Sequence, residues 1–344
     1  MTASAPTSAG LRFAGIGTAL PANVVTNDKL SEQMDTSDEW IRERTGIGSR
    51  RLGSTTSELA IAAARAAIEQ SGIDQATISQ VILATTTPDY IMPGTAPAVA
   101  HALGLECGAF DVQAVCSGWV YGMVVANGML LQGLDNVLLI GADAMEQITD
   151  YTDRGTGILF GNGAGAAILQ RNPSASGELL GWDLGSNGKH VHILYSEHGK
   201  TMSMDGKEVF RQAVTVMQRS TRAALDMAGL DIDDVDFVIP HQANVRIVEA
   251  AWKRLGFSMD QTGLVLDHTG NTSSASIPLA LGEAVADGRI TDGKIVLFLG
   301  FGAGMTWGAN VLRWHGPSDP ATTQHIEVPV AGDTAKITGA APAS

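Results

Sequence analysis

The hydrophobic positions of this chain follow two patterns. Near-continuous apolar runs, which are typical of strands buried on both faces, recur along the sequence. These runs are residues 81–85, 137–141, 237–240 and 295–300. Two of them are preceded by amphipathic stretches, which predict helices that end at Gly72 and Gly229. The order of helix, glycine and apolar run predicts alternating α/β structure.

The pattern is repeated within the chain. Residues 65–74 (RAAIEQSGID) match residues 222–231 (RAALDMAGLD), which lie 157 positions later (222 − 65). Each copy predicts a helix ended by glycine, then a short acidic turn and a strand. The strand at residues 137–141 corresponds in the same way to residues 295–300. Because such repeats bury their faces against each other, we expect two similar halves.

We therefore predict an α/β fold with two similar halves packed as one layered body. The first half spans residues 10–175 and the second spans residues 176–315. Residues 316–344 are rich in Ala, Pro and Thr and lack clear periodicity, so we expect a flexible tail there. The alternative for this segment is an additional surface strand at residues 326–330.

Composition and charge narrow the class of protein. Of the 344 residues, 44% are hydrophobic and 17% are charged, as in a well-packed globular protein. No apolar run approaches the ~18 residues of a membrane span, and the start of the chain lacks the apolar core of a signal peptide. We therefore expect a cytoplasmic protein. The net charge of −14 argues against nucleic acid and anionic membranes as partners.

Cys116 stands where a predicted strand meets a predicted helix. The stretch from residue 110 predicts a strand that ends at this cysteine, and small and apolar residues follow it. The positive end of a helix dipole favours the thiolate, which is the nucleophilic form. The alternative is an inert buried cysteine. Cys107 lacks this context and is interpreted as packing, and a disulfide between the two is not expected.

Two distant segments place further polar groups at strand ends. His241 follows the run at residues 237–240, and Asn271 lies in a glycine turn ahead of a helix of small residues. Open α/β sheets place their chemistry at such strand ends, and Cys, His and Asn together are typical of acyl transfer. The pair His190 and His192 is interpreted as surface, so no metal site is expected.

Several motifs agree in order and spacing with one known family. They are Cys-Ser-Gly (116–118), Pro-His-Gln-Ala-Asn (240–244) and Gly-Asn-Thr-Ser-Ser-Ala-Ser-Ile-Pro (270–278). Over residues 10–315 the chain resembles the thiolase-fold condensing enzymes, and more narrowly β-ketoacyl-[acyl-carrier-protein] synthase III. The resemblance implies a thiolase-like fold, a layered αβαβα body, assembled as a homodimer.

The resemblance also implies an activity. An acyl-CoA primer and malonyl-acyl carrier protein would undergo decarboxylative Claisen condensation through an acyl-cysteine, giving 3-oxoacyl-carrier protein and starting fatty acid synthesis. Acyl-CoA is then a substrate, and no cofactor is implied. Ping-pong kinetics follow from the covalent intermediate.

Individual residues acquire roles from the resemblance. Cys116 is the nucleophile, and His241 and Asn271 are its partners. The backbone N–H groups of Cys116 and Ala303 are the oxyanion donors; many members carry glycine at the position of Ala303, but only the N–H is needed. The other matched positions are the coenzyme A contacts Thr36, Trp40, Arg44 and Arg154, the phenylalanine Phe301 beside the catalytic centre, and Met92.

Met92 lies just before Pro93, where some members carry a phenylalanine that closes the acyl pocket from the partner subunit. The difference leaves the primer length open. In the second half-reaction, a neutral histidine Nε2–H and an asparagine amide would stabilise the enolate of the decarboxylated malonyl group. This makes Asn271 an electrostatic element rather than a base.

A basic helix face is a candidate for docking the carrier protein, which is expected to be acidic. Arg246, Lys253 and Arg254 share one broad face of the helix after His241. Spacing alone favours an ordinary solvated face. The resemblance to the family at Arg246 instead favours the interpretation as a docking face.

Three other functions are compatible with part of this pattern. A thiolase needs a second catalytic cysteine from the C-terminal half, whereas both cysteines here lie in the first half. A priming ketosynthase or acyltransferase of polyketide assembly would share every motif, and it stays open. A cysteine thioester hydrolase with a similar Cys-His-Asn set also stays open, and an assay for carbon–carbon bond formation would separate it.

Overall fold

The computed structural model describes residues 10–172 and 177–330. Its strands are Leu11–Pro21 (β1), Val24–Thr26 (β2), Ser49–Arg51 (β3), Ile78–Ala84 (β4), Gly108–Val112 (β5), Asn136–Ala144 (β6), Asn162–Arg171 (β7), Glu178–Ser186 (β8), Leu194–Tyr195 (β9), Ser203–Met204 (β10), Phe237–Pro240 (β11), Ile295–Gly302 (β12), Thr306–Arg313 (β13) and Gln324–Val328 (β14). Its α-helices are Asn27–Ser31 (α1), Asp38–Thr45 (α2), Thr56–Ser71 (α3), Thr95–Ala102 (α4), Gly118–Leu131 (α5), Gly206–Ala228 (α6), Val245–Leu255 (α7), Leu266–Thr269 (α8) and Ser276–Ala286 (α9).

The two predicted repeat helices, α3 and α6, have the boundaries that their sequences indicate. Thr55 begins α3 with a capping box in which its side chain accepts from the N–H of Glu58 and the Glu58 carboxylate accepts from the N–H of Thr55. Gly72 and Gly229 end the two helices in the left-handed region, at φ 61° and 68°. Glycine adopts this conformation at no steric cost, which is why each helix stops there.

Two sheets carry the repeat. The larger sheet has the order β14-β1-β7-β6-β4-β5, and the second has the order β11-β12-β13-β8. In the first, β1–β7 and β7–β6 are antiparallel and β6–β4 is parallel. In the second, β8–β13 and β13–β12 are antiparallel and β12–β11 is parallel. The sequence repeat therefore corresponds to a repeated topology, while the division of the chain at residue 175 stays a prediction.

Helices occupy three layers around these sheets. Helices α5 and α9 pack between the sheets, and the apolar core there draws side chains from both, including Leu139, Phe298 and the α5 residue Trp119. Helices α3 and α4 cover the outer face of the larger sheet, and α6 and α7 cover the outer face of the second. Because α5 and α9 lie inside, they are apolar nearly all round. The predicted layered αβαβα fold is confirmed.

The C-terminal segment differs from the prediction. Strand β14 pairs in parallel with β1, and Ile326 and Val328 pack against the core beneath α3. The segment predicted as a flexible tail from residue 316 thus contains a strand at Gln324–Val328, which overlaps the alternative surface strand predicted at residues 326–330. Strand β1 would otherwise be an open edge, and the backbone of β14 pairs with it. Residues 331–344 lie outside the described residues.

Candidate active site

One cavity contains most of the predicted site residues. Its volume is about 300 Å³. The predicted residues that line it are Trp40, Arg44, Cys116, Arg154, His241, Arg246, Asn271 and Phe301. Side chains from both halves therefore meet in one space, with Cys116 from the first half and His241 and Asn271 from the second.

Cys116 lies in a tight turn, Val115–Ser117, between β5 and α5. Its exposed fraction is 6%. Val115 has φ 50°, which is a strained conformation for a β-branched residue. Strained residues of this kind cluster where a side chain must be held in an unfavourable position for function. The turn thus presents the sulfur at the start of α5, as the sequence predicts.

The protonation state of Cys116 depends on its burial. Burial raises the pKa of the thiol to about 12, a hydrogen bond with Ser273 opposes this rise, and the negative charge of Asp143 adds to it. The prediction is that the helix start favours the thiolate, and the burial of the sulfur away from water acts in the opposite direction. The thiol must lose its proton during the attack itself.

His241, which lines the same cavity as Cys116, is the candidate acceptor for that proton. It follows β11, and its exposed fraction is 1%. Burial lowers the pKa of His241 to about 3, against the opposing effect of the Ser273 carbonyl. The imidazole is therefore neutral at pH 7, and its ring meets the Phe301 ring edge to face at 5.1 Å.

The hydrogen-bond network assigns the tautomer of this neutral ring. His241 Nδ1 lies 2.7 Å from Ser276 Oγ, and Ser276 Oγ donates to the Ser273 carbonyl at 2.9 Å. Since a hydroxyl has a single proton, Ser276 accepts from His241 Nδ1–H. The lone pair then lies on Nε2, where it can accept the thiol proton. The predicted Nε2–H donor concerns the second half-reaction, and it stays a prediction.

Asn271 is held by its own turn. Gly270, at φ 66°, lets the chain reverse after α8, and the Asn271 N–H donates to the Leu159 carbonyl at 2.8 Å. Asn271 Oδ1 accepts from the Ser273 N–H at 2.9 Å. Because the amide oxygen is engaged in this way, the NH₂ group is the part left to act as a donor toward the cavity.

Ala303 lies in the turn between β12 and β13, close to the nucleophile. A Cβ on the preceding residue, Gly302, would lie 2.8 Å from the Cys116 nitrogen, so the two peptide segments are in direct contact. The pairing of the Cys116 and Ala303 N–H groups as an oxyanion hole stays a prediction.

The mouth of the cavity carries the predicted coenzyme A contacts. Arg44 Cζ lies 4.4 Å and Arg154 Cζ lies 4.9 Å from the centroid of the Trp40 ring, and Arg154 also donates to the Asp35 carbonyl at 2.9 Å. Thr36 is adjacent to the cap of α2 but does not line the cavity, and its buried hydroxyl has no hydrogen-bond partner among the described residues. An aromatic face flanked by two guanidinium groups suits a base with attached phosphates.

The remaining predicted residues lie at the surface. Met92 is 85% exposed, beside the exposed Ile91 and Tyr90, and it does not line the cavity of its own chain. Arg246, Lys253 and Arg254 are all exposed on α7. Only Arg246 of these three also lines the cavity.

Sequence reasoning missed the residues that hold the catalytic side chains. Ser273 and Ser276 orient Asn271 and His241, and Asp143 is a buried carboxylate beneath the same turn. The sequence signal for Asp143 is an acidic residue within the apolar strand β6, which indicates a buried carboxylate with hydrogen-bond partners. Among residues 10–172 and 177–330, no cluster of three or more His, Cys, Asp or Glu side chains could hold a metal ion. Those residues also contain no helix with the length and apolar character needed to cross a bilayer.

The raised thiol pKa predicts the pH dependence of alkylation. Iodoacetamide reacts with the thiolate, and the thiolate fraction rises with pH until the pKa of about 12 is reached. In a Cys107→Ala background, we expect the alkylation rate of Cys116 to rise about tenfold per pH unit between about pH 6 and about pH 10. A plateau that begins near neutral pH would instead indicate a preformed thiolate.

The duplicated five-layer fold and the Cys–His–Asn cavity define a condensing enzyme of the thiolase fold. Two family models match: 3-Oxoacyl-[acyl-carrier-protein (ACP)] synthase III over residues 110–188 and its C-terminal domain over residues 225–314. The chain belongs to the β-ketoacyl-[acyl-carrier-protein] synthase III family.

Curated relatives and solved structures support this membership. The β-ketoacyl-[acyl-carrier-protein] synthase III of Oceanobacillus iheyensis is 44% identical over 305 residues, which cover 87% of this chain and 97% of the relative. The crystal structure of 3-oxoacyl-[acyl-carrier-protein] synthase III from Aquifex aeolicus VF5 has a TM-score of 0.87 at 38% identity, covering 89% of this chain and 100% of that one. The priming β-ketosynthase of the R1128 polyketide pathway has a TM-score of 0.85 at 33% identity, covering 92% and 100%.

Proposed function

We propose that this enzyme joins an acyl group from acyl-CoA to malonyl-acyl carrier protein with loss of carbon dioxide, which begins fatty acid synthesis. One observation carries the proposal: Cys116, His241 and Asn271 share a cavity with the aromatic and cationic mouth at Trp40. The nucleophile comes from the proposed half 10–175, and the two stabilising groups come from the proposed half 176–315.

The first half-reaction transfers the acyl group to Cys116. The sulfur attacks the thioester carbonyl carbon while the thiol proton passes to His241 Nε2, whose lone pair is free in the tautomer fixed by Ser276. The bond from carbon to the coenzyme A sulfur then breaks, and His241 returns the proton to that sulfur. The N–H groups of Cys116 and Ala303 stabilise the oxyanion, and one such donor is worth about 3 kcal/mol.

The second half-reaction forms the carbon–carbon bond. The malonyl thioester loses carbon dioxide, and the bonding electrons form an enolate whose oxygen accepts from the Asn271 amide. His241 becomes a second donor through Nε2 in its other tautomer: Nε2 takes a proton from water in the cavity, Nδ1 gives its proton up to solvent, and the Ser276 hydroxyl turns from the Ser273 carbonyl to donate to Nδ1. The enolate carbon attacks the acyl carbonyl, and the Cys116 thiolate leaves and takes a proton from solvent.

The mouth of the cavity is proposed to bind the nucleotide of coenzyme A. Adenine would stack on Trp40 in place of one of the guanidinium groups that now lie against the ring. The guanidinium groups of Arg44 and Arg154 would then form ion pairs with the phosphates of coenzyme A. Thr36, next to the cap of the helix that carries Trp40, stays a proposed contact on the family resemblance alone, since its hydroxyl is buried and does not line the cavity.

Trp40→Ala tests this binding site. We expect the KM for acyl-CoA to rise about tenfold, because loss of an aromatic stack costs ~1–3 kcal/mol of binding free energy. The cost should lie in the lower part of this range, because adenine replaces a cation–π contact that Trp40 already makes with an arginine in the free enzyme. The kcat should change little. The same acyl group on a short thiol that lacks the nucleotide is the matched substrate, and its kinetics should not change. Equal losses with both substrates would show that Trp40 does not bind coenzyme A.

The carrier protein is proposed to dock on the face of α7 that bears Arg246, Lys253 and Arg254. Arg246 lines the cavity mouth, so a carrier bound there could deliver its acyl arm to the cavity. At ~0.15 M salt the screening length is about 8 Å, which suppresses repulsion from the distant acidic surface but spares contact pairs. Local charge can therefore override the net charge of −14.

Arg246→Glu should raise the KM for malonyl-carrier by about tenfold or more, because reversal replaces an attraction with a repulsion. Self-acylation from acyl-CoA does not use the carrier and should change much less. Arg222→Glu is the matched control, since Arg222 is exposed near the other end of α6, about 24 Å along that helix from the cavity mouth. An equal effect of both reversals would place the docking surface elsewhere.

We also propose a homodimer in the cytoplasm, in which Met92 reaches the acyl pocket of the partner subunit. The exposed apolar side chains of Tyr90, Ile91 and Met92 support this, since such a cluster is usually covered by a partner. Acyl-CoA is treated as a substrate, and no cofactor enters the proposed chemistry.

A second candidate is the priming step of a polyketide pathway, and the likeness to the R1128 priming ketosynthase favours it. Product analysis separates the candidates. The enzyme is supplied with an acyl-CoA panel and malonyl-charged carriers of fatty acid and polyketide type. Our proposal expects 3-oxoacyl-carrier, made faster on the fatty acid carrier. Preference for the polyketide carrier would favour the priming role, and free acid alone would indicate a hydrolase.

A further inference from the structure

Asp143 is a buried carboxylate that the mechanism above does not use. It lies near the end of β6, and its exposed fraction is 0%. Oδ1 accepts from the Thr86 N–H at 2.6 Å and from the Thr87 N–H at 3.1 Å, with the Thr85 and Thr87 hydroxyls also at 3.1 Å. A buried charge is retained only with such full hydrogen bonding, so the site is built around this carboxylate.

The other oxygen reaches into the second half of the chain. Oδ2 accepts from the Ser274 N–H at 2.9 Å and lies 2.7 Å from Ser274 Oγ, which is also 2.8 Å from the Ala84 carbonyl. Asp143 therefore connects strand β6 and the segment after β4, both in the predicted half that contains Cys116, with the turn Ser273–Ala275 of the other predicted half.

The packing around this contact is tight. A Cβ on Gly141 would lie 2.5 Å from the Ser274 carbonyl oxygen. The absence of a side chain at Gly141 therefore allows the Ser273–Ala275 turn to press against β6. In this close contact, Asp143 supplies the polar interaction that sets where the turn sits.

The same turn orients both enolate donors. The Ser273 N–H holds Asn271 Oδ1, and the Ser273 carbonyl, through Ser276, fixes the ring of His241. Ser273 has φ 52°, a strained conformation that persists only where surrounding contacts impose it. A shift of Ser274 would therefore displace the Asn271 amide and the His241 ring together.

We propose that Asp143 is a positioning residue for the carbon–carbon bond-forming half-reaction: it holds the Ser273–Ala275 turn so that Asn271 and His241 face Cys116. It touches no substrate and acts through the turn. The inference rests on the proposed function, since it assigns Asp143 to one half-reaction of that function.

Asp143→Asn breaks one contact selectively. The amide oxygen can still accept from the Thr85–Thr87 segment, but its NH₂ then faces the Ser274 N–H, so two donors meet. Decarboxylation of malonyl-carrier should fall by about 100-fold, the scale expected for a catalytic group displaced by about 1 Å. The loss should appear in kcat, with little change in the KM for malonyl-carrier.

Self-acylation should slow much less, by about tenfold at most as in His241→Ala, since it uses His241 but not Asn271 and its nucleophile lies on a different turn. Removing the negative charge of Asp143 also lowers the pKa of the Cys116 thiol, which does not oppose attack. The ratio of the two rates is the readout that a merely structural role would not change.

Ile140→Val is the matched control. Ile140 lies in the same strand, is 0% exposed and packs in the outer core beneath α3, away from the turn. It should lower the melting temperature and leave the ratio of the two rates unchanged. Ser274→Ala is a second variant: it removes only the hydroxyl beside Oδ2, and it should shift the ratio in the same direction by a smaller factor.

Equal slowing of both half-reactions in folded Asp143→Asn, or no change in either, would overturn the proposal. If that variant does not fold, Ser274→Ala decides, and an unchanged ratio in it has the same meaning. The proposed function fails separately, if the parent enzyme forms no acyl-enzyme or no condensed product. A parent that condenses normally while the ratio in the variants stays constant refutes only the role of Asp143.

Discussion

Cys116→Ala is expected to abolish acyl-enzyme formation and condensation, with residual activity below about 10⁻⁴ of the parent. No other side chain that lines the cavity carries a nucleophile of comparable strength, and the intermediate is covalent. The methyl group of alanine fits where the thiol now lies, so the melting temperature should change little. Intact-mass analysis after incubation with acyl-CoA measures the acyl-enzyme directly.

The chain offers a matched control for this substitution. Cys107→Ala removes the only other cysteine, which is partly buried before β5 and does not line the cavity. It should keep parent activity and parent acylation. Acylation that persists in Cys116→Ala and disappears in Cys107→Ala would move the nucleophile to the other cysteine.

Asn271→Asp should reduce malonyl decarboxylation by about 10²–10³-fold, the cost of losing one oxyanion donor. The carboxylate keeps the acceptor for the Ser273 N–H, so the turn is preserved, but it has no NH₂ to donate and adds a repelling charge beside the enolate. Self-acylation should persist, because Asn271 takes no part in it. Full decarboxylation by this variant would remove Asn271 from the mechanism.

His241→Ala should differ from the asparagine variant. It loses a donor in decarboxylation and also the acceptor for the thiol proton, so self-acylation should slow by about tenfold or more and recover partly at high pH. The recovery follows from the raised thiol pKa, since hydroxide then generates the thiolate. Stopped-flow acylation across the pH range would measure it, and a parent-like acylation rate at neutral pH would show that another group takes the proton.

The sequence predicted the features that depend on local pattern. The helix–glycine–strand repeat at Gly72 and Gly229 predicted the duplicated topology, and the junction of strand and helix predicted the position of Cys116. The motifs at His241 and Asn271 predicted the residues that the structure brings into one cavity. In each case the decisive information lies within a short stretch of chain.

The features that the sequence did not predict depend on contacts between distant segments. A strand near β14 was only the alternative prediction, because the order of this segment comes from pairing with β1, some 300 residues earlier. The raised pKa of Cys116 comes from burial in the folded chain, whereas the helix start that favours a thiolate is a local feature. The contact of Asp143 with Ser274 spans 131 residues and links the two halves, so no local pattern reveals it.

A chase of the isolated acyl-enzyme tests the central claim most directly. The enzyme is incubated with acyl-CoA, freed of unbound substrate, and mixed with malonyl-carrier while intact masses of enzyme and carrier are followed. We expect one acyl group on the peptide that contains Cys116. Its loss should be matched, one for one, by 3-oxoacyl-carrier that has lost carbon dioxide. Release of the acyl group as free acid, or onto the carrier without a new carbon–carbon bond, would contradict the account.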